Sequence, residues 1–329
     1  LLKLGKVRIK FDPPLMVTNG FRQELKMHDG VIEIRNPKSK ISVWVDANHP
    51  VVRVETTSDT PVGLSVALEL WRKARTLPGN EHSFLEGTDI DQPPREWPDT
   101  VVNAPTGPLK NHLVWYHRNE HSVYPASLRI QEIEAAKGDD PLLNRTFGCA
   151  IGGSGFVAKS PTLLVSAQPA TRQTLTIHPL TLQTPTADGW LQALGEQTAA
   201  ESARDAADCY AAHARWWRAF WQRSWVSVSG GKPEEAKEIA NINTGWHAHR
   251  YLIACTARGN SPIKFNASIF NVEKYNSKGQ PADWVTPDFR NWDGALWFQN
   301  QRHIYWPMFA AGDHDQFAPF FKMYRDALP

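Results

Sequence analysis

Between residues 31 and 182 apolar and polar positions alternate in short β-branched runs, the period-two signature of half-buried strands. Val31–Ile34, Ile41–Val45, Val51–Glu55 and Val62–Leu70 come first, parted by clusters such as Asn36-Pro37 and Asn48-His49-Pro50. The same pattern predicts strands over Leu113–His117, Ser127–Ile133, Phe147–Ile151, Leu163–Ala167 and Thr174–Leu182. So many strands without a helical period between them predict a large antiparallel sandwich rather than a βαβ sheet. Residues 74–112 break the rhythm with a proline-rich excursion of the length that functional or mobile loops have.

From about residue 190 the period changes. Ala203, Ala207, Tyr210, Ala214, Trp217 and Trp221 step by 4, 3, 4, 3 and 4, which places them on one helical face. Gly230-Gly231 and Pro233 mark a turn and a new helix start, because Pro fits the first helical position. Ile239, Ile242, Trp246, His249 and Ile253 then define a second helical face, closed by Gly259. Two further helices are predicted over roughly 294–310 and 313–328, parted by Ala311-Gly312. The expected organisation is a β domain over 1–190, a helical linker over 191–232 and a helical domain over 233–329.

Composition supports the same division: 17 of the 24 prolines precede residue 190, and ten of the 14 tryptophans lie at or after it. The 36 Lys and Arg against 34 Asp and Glu leave a formal charge of +2 without like-charged runs, so no nucleic-acid surface is expected. No stretch approaches the ~18 consecutive apolar residues of a membrane helix. Three scattered cysteines exclude a CxxC metal knuckle and a disulfide framework. The chain opens on Leu1 in a strand-like run and stops inside a helical pattern, so it reads as a fragment of a longer protein.

Two constellations carry candidate chemistry. His117-Arg118-Asn119-Glu120-His121 matches H-x-x-E-H, the inverted zincin spacing, which needs a helix to bring both imidazoles to one metal. Its flanks favour strand, where positions four apart lie about 13 Å from one another. A hairpin end near a ligand pocket is therefore expected, with no metal.

Residues 288–307 interleave Trp292, Trp297, Tyr305 and Trp306 with Asp293, Gln299, Asn300, Gln301, Arg302 and His303. Amides and carboxylates beside aromatic faces suit a ligand with many hydroxyls and apolar C–H faces, which describes a sugar. Asp293 could instead cap the following helix.

Residues 213–230, 254–270 and 292–308, preceded by the β-rich region, resemble a family of bacterial glycoside hydrolases. The resemblance implies an N-terminal antiparallel β-supersandwich, a helical linker and the first helices of an incomplete (α/α)6 toroid. Among characterised enzymes the likeness is to family-95-like inverting α-L-fucosidases and α-galactosidases. Their asparagine-rich segment before a Tyr-Trp-Pro orients water and substrate hydroxyls, which implies that role for Asn300; Asp293, in the same stretch, is a candidate catalytic carboxylate that also lines the subsite. Phe298 departs from the family's asparagine at that position. The resemblance also implies a sugar subsite lined by Asn266, Trp292, Trp297, Gln299 and His303. It places the general acid and the late aspartate beyond Pro329, so the fragment alone is expected to be inactive. No cofactor is called for; the partner is a carbohydrate, and the location expected from it is extracellular or periplasmic. The alternative is a non-catalytic carbohydrate-binding protein.

Overall fold

A computed structural model describes residues 4–15, 20–70, 72, 74–76, 95–103, 106–136, 138–263, 296 and 298–328. The strands are β1 (Lys6–Asp12), β2 (Arg22–Lys26), β3 (Val31–Asn36), β4 (Ser39–Val45), β5 (Val52–Glu69), β6 (Arg75–Thr76) and β7 (Arg95–Glu96). They continue with β8 (Thr100–Val102), β9 (Leu113–Arg118), β10 (Arg145–Gly152), β11 (Phe156–Ser160), β12 (Leu163–Ser166) and β13 (Ala170–Gln183). The helices are α1 (Tyr124–Ile130), α2 (Ala187–Ser202), α3 (Ala206–Arg223), α4 (Ala236–Thr256), α5 (Phe298–Ala310) and α6 (Ala318–Asp326). Antiparallel sheet followed by helices is thus the observed order.

The 18-residue β5 organises the sheet. Its first half pairs with β4 and β13, and its second half pairs with β1 and β12. The main path runs β2-β3-β4-β5-β13-β10-β9-β8. Two separate strands were expected where β5 runs through. Its ladder with β13 jumps from Val62 to Thr57, so Pro61, with no N–H to donate, sits where pairing is already interrupted.

Val62, Leu64, Val66 and Leu68 alternate inward along β5 and meet Leu113, Trp115, Cys149 and Ile151 in the main core. Val114 and Ala150, on the opposite face of β9 and β10, pack against Trp190 and Leu194 of α2. Those two strands are covered on both sides, which explains their near-continuous apolar runs.

The segment Ser127–Ile133, expected as a strand, is largely the helix α1 instead. Pro125 lies in its first turn, and the Ser122 hydroxyl accepts the Tyr124 N–H at 3.1 Å, so local start signals outweigh an alternating pattern.

The helical run expected from Ala203 is two helices. α2 ends at Ser202, and the Asp205 carboxylate caps α3 by accepting from the N–H groups of Ala207 and Asp208. The buried face of α3 carries Cys209, His213, Trp217, Phe220 and Trp221, so Ala207 and Tyr210 turn outward. Trp217 lies over Gly30, whose φ of +64° and whose Cβ position, 1.9 Å from the Trp217 Nε1, admit no side chain.

On α4 the expected face is displaced as well: Arg250, Ile253 and Ala254 are buried, whereas Ile242 and His249 are exposed. His249 is therefore not the core histidine its place in the pattern suggested.

Candidate functional site

α5 carries what the structure describes of the amide- and indole-rich segment. Its inner face bears Gln301, Tyr305 and Met308, all buried against Ile253, Ala257, Ile263, Phe317 and Phe320. The Tyr305 hydroxyl accepts the Ile263 N–H at 2.8 Å, and the Gln301 amide donates to the Ile263 carbonyl. Both polar groups of one backbone residue are thereby satisfied by side chains four apart on α5. Burial raises the Tyr305 pKa, which fits a phenol kept neutral in a structural role.

The outer face differs in kind. Gln299, His303 and Trp306 follow one another at helical spacing and are exposed, Trp306 at 61%. Asn300 is half-buried beside this stripe, and the Arg302 guanidinium lies 5.8 Å from the Trp306 ring centroid. Pro307 lies inside the helix and has no N–H, so the His303 carbonyl loses its usual partner one turn on. The face therefore offers an amide, an imidazole and an indole. Phe298, at the position where the resembling family has asparagine, is 60% exposed at the helix start. Asn266, Trp292, Asp293 and Trp297 lie outside the described residues, so of the expected subsite the structure brings together Gln299, Asn300 and His303.

α5 is fixed by a charged corner that the sequence pattern did not single out. Arg250 of α4 donates to both carboxylate oxygens of Asp313 at 3.1 and 3.0 Å, and to the Phe220 carbonyl at 2.9 Å. Arg223 of α3 reaches Asp313 at 3.4 Å and also pairs with Asp315. Arg250 stacks on Phe220 at 4.1 Å from the ring centroid. Asp313 lies just past α5, after Ala311-Gly312, so this cluster ties the end of that helix to α3 and α4.

The H-x-x-E-H segment begins on β9 with His117 and Arg118 and runs past the strand end over 119–121. His117 is buried in β9, and His121 lies past the strand end against Trp97, with ring centroids 4.6 Å apart. Both border a cavity of about 200 Å³ together with Asn119 and Thr100.

No curated protein matches the sequence. Among solved structures, one described as "Putative kojibiose phosphorylase from human microbiome" aligns over 82% of this chain and 34% of its own, at 9% identity and a TM-score of 0.41. The present chain thus spans about a third of that protein's length. Residues 1–226 match the sequence profile of DUF5703_N, described as a domain of unknown function (DUF5703), and the chain belongs to that family.

Proposed function

We propose that this chain supplies the β domain, the helical linker and the opening toroid helices of a carbohydrate-active enzyme. The reaction is hydrolysis of a glycosidic bond with inversion. The observation that carries this is the outer face of α5, where Gln299, His303 and Trp306 are presented together with Asn300 beside them. Amides and an imidazole pair with hydroxyls, and an indole packs on the C–H face of a sugar ring. Asn266, Trp292 and Trp297 complete the subsite in this reading, and Asp293 contributes one carboxylate. Hydrolysis with inversion needs two, one to protonate the leaving oxygen and one to activate water on the opposite face. Asn300 holds that water or a neighbouring substrate hydroxyl, so its value is greatest in the transition state. A substrate of this kind fits an extracellular or periplasmic protein.

The test is an assay of the complete gene product on a panel of aryl glycosides, with and without inorganic phosphate, and with the product anomer followed by NMR. Asn300→Ala should lower kcat about 10²-fold or more with a small change in KM. Turnover by residues 1–329 alone at the rate of the complete protein would overturn the proposal, as would sugar binding by the complete protein with no turnover of any glycoside.

A further inference from the structure

We propose that His28 and His247 form a binding site for a divalent transition cation of the zinc class, where the turn between β2 and β3 meets α4. The site does not rest on the carbohydrate reading, which concerns α5.

The backbone on both sides of His28 is fixed. The Met27 carbonyl accepts the Trp221 Nε1–H at 3.1 Å, the Asp29 carbonyl accepts the His213 Nε2–H at 2.8 Å, and Gly30 lies beneath Trp217. The turn is thus held against α3 while His28 itself stays exposed. Its ring centroid lies 4.6 Å from that of Trp221 and 5.7 Å from that of His247. His247, half-buried on α4, is fixed by a separate route, because its Nδ1 donates to the Asn243 carbonyl at 2.7 Å. That bond leaves the lone pair on Nε2, and a carbonyl on the far nitrogen is the usual support of a metal-bound imidazole. Neither His28 nitrogen nor His247 Nε2 has a hydrogen-bond partner among the described residues, so both rings are free to ligate. With Zn–N bonds of about 2.0–2.1 Å, two imidazoles on one tetrahedral metal have centroids about 5 Å apart, so a small rotation of the exposed His28 ring completes the pair.

The donor set names the ligand class. Imidazole suits zinc, copper and nickel, whereas magnesium and calcium take oxygen ligands. Among the described residues no group of three or more His, Cys, Asp or Glu side chains is placed to hold a metal. The site therefore has two protein ligands, and water completes its coordination, which makes it open and exchangeable. The charges around it do not oppose a cation. Arg250, 5.4 Å from the Trp221 ring centroid, is neutralised by Asp313, and Lys26 pairs with Glu33. The exposed Asp29 beside His28 adds a negative charge. A bound cation clips the turn of the β domain to α4, so binding stabilises the folded chain.

The experiment titrates the 1–329 chain with ZnCl₂ and, separately, with MgCl₂ in a calorimeter, and follows thermal unfolding with and without each salt. Zn²⁺ should bind saturably with a Kd below about 1 mM and raise the Tm, and Mg²⁺ should do neither. His28→Ala and His247→Ala should each weaken Zn²⁺ binding about tenfold or more and remove the rise in Tm. Circular dichroism checks that each variant folds, and the exposed His28 carries the test alone if His247→Ala does not. His249→Ala, exposed on the same helix, should bind as the parent chain does. No Zn²⁺ binding up to about 1 mM would overturn the proposal, and so would binding that survives His28→Ala. Binding lost in Cys255→Ser but kept in both histidine variants would move the metal to that exposed thiol, and equal binding of Mg²⁺ would replace imidazole by carboxylate; either result overturns the site.

Discussion

His213 joins the β domain to α3 through both ring nitrogens: Nδ1 accepts the Ala47 N–H at 3.1 Å, and Nε2 donates to the Asp29 carbonyl at 2.8 Å. This pattern requires the neutral ring, and burial lowers its pKa accordingly. His178, on β13, is pushed from 6.5 down to about 4, first by burial and then by His112 and Arg53. The unfolded chain therefore binds more protons than the folded one between those two values. Stability is complete above pH 6.5 and declines as the pH falls towards about 4. About 2.5 pKa units correspond to about 3 kcal/mol for His178. Glu33, held at about 2 by Lys40 and Lys26, begins to cost stability only below 4.5 and so overlaps this window only at its lower edge. Urea unfolding at pH 7 and at about pH 4.5 should show the loss, and His178→Gln should flatten the slope. An unchanged slope in that variant would remove His178 from the account.

At the scale of elements, the contact that most constrains the helices is a buried ion pair. Asp313 is 1% exposed and Arg250 5%, and between them they bind α4, the carbonyl end of α3 and the turn after α5. Removing one partner leaves the other charge buried, which costs about 3–5 kcal/mol. Asp313→Ala should show that loss in chemical denaturation, whereas Arg250→Met with Asp313→Leu should recover most of it. Equal losses in the single and the double variant would mean that the side chains matter for shape and not for charge. The same pair explains what periodicity missed. The hydrophobic stripe placed Ile242 and His249 inward on α4, but burying Arg250 rotates the helix away from them. On α3 the aromatic positions Trp217 and Trp221 were legible, whereas the break at 203–205 depends on the Asp205 cap, a local signal inside an otherwise regular pattern. The longer strands β1, β3, β4, β5, β9, β10 and β13 and the short β12 were legible, whereas β2, β6, β7, β8 and β11 were not anticipated. The continuity of β5 through Pro61 was not, since it depends on which partner each half finds.

For the whole molecule, the order of sheet and helices could be read from the separate distributions of proline and tryptophan. The cavity beside Trp97 could not, because the sheet pairing of β8 with β9 is what brings residues 97–100 beside 117–121. Only the spacing of His117 and His121 hinted at it. The surface of the helical part poses the remaining question. Of the aromatics near residue 320, Phe317 and Phe320 are buried, but Phe309 is 63% exposed, Phe321 59% and Tyr324 44%, and Trp306 on α5 is 61% exposed. Exposed apolar side chains scattered singly need no explanation, but four large ones on two successive helices are a candidate association surface. Covering each is worth roughly 1.5–3 kcal/mol, enough to drive weak self-association. The 1–329 chain should therefore sediment with a concentration-dependent rate and bind an apolar dye. Phe309→Ser combined with Phe321→Ser should abolish both, with a modest fall in Tm because each ring packs from outside on Phe317 of the buried cluster around Tyr305. A wild-type chain that sediments as a single monomer at all concentrations and binds no dye would show that this face is tolerated by water as it stands.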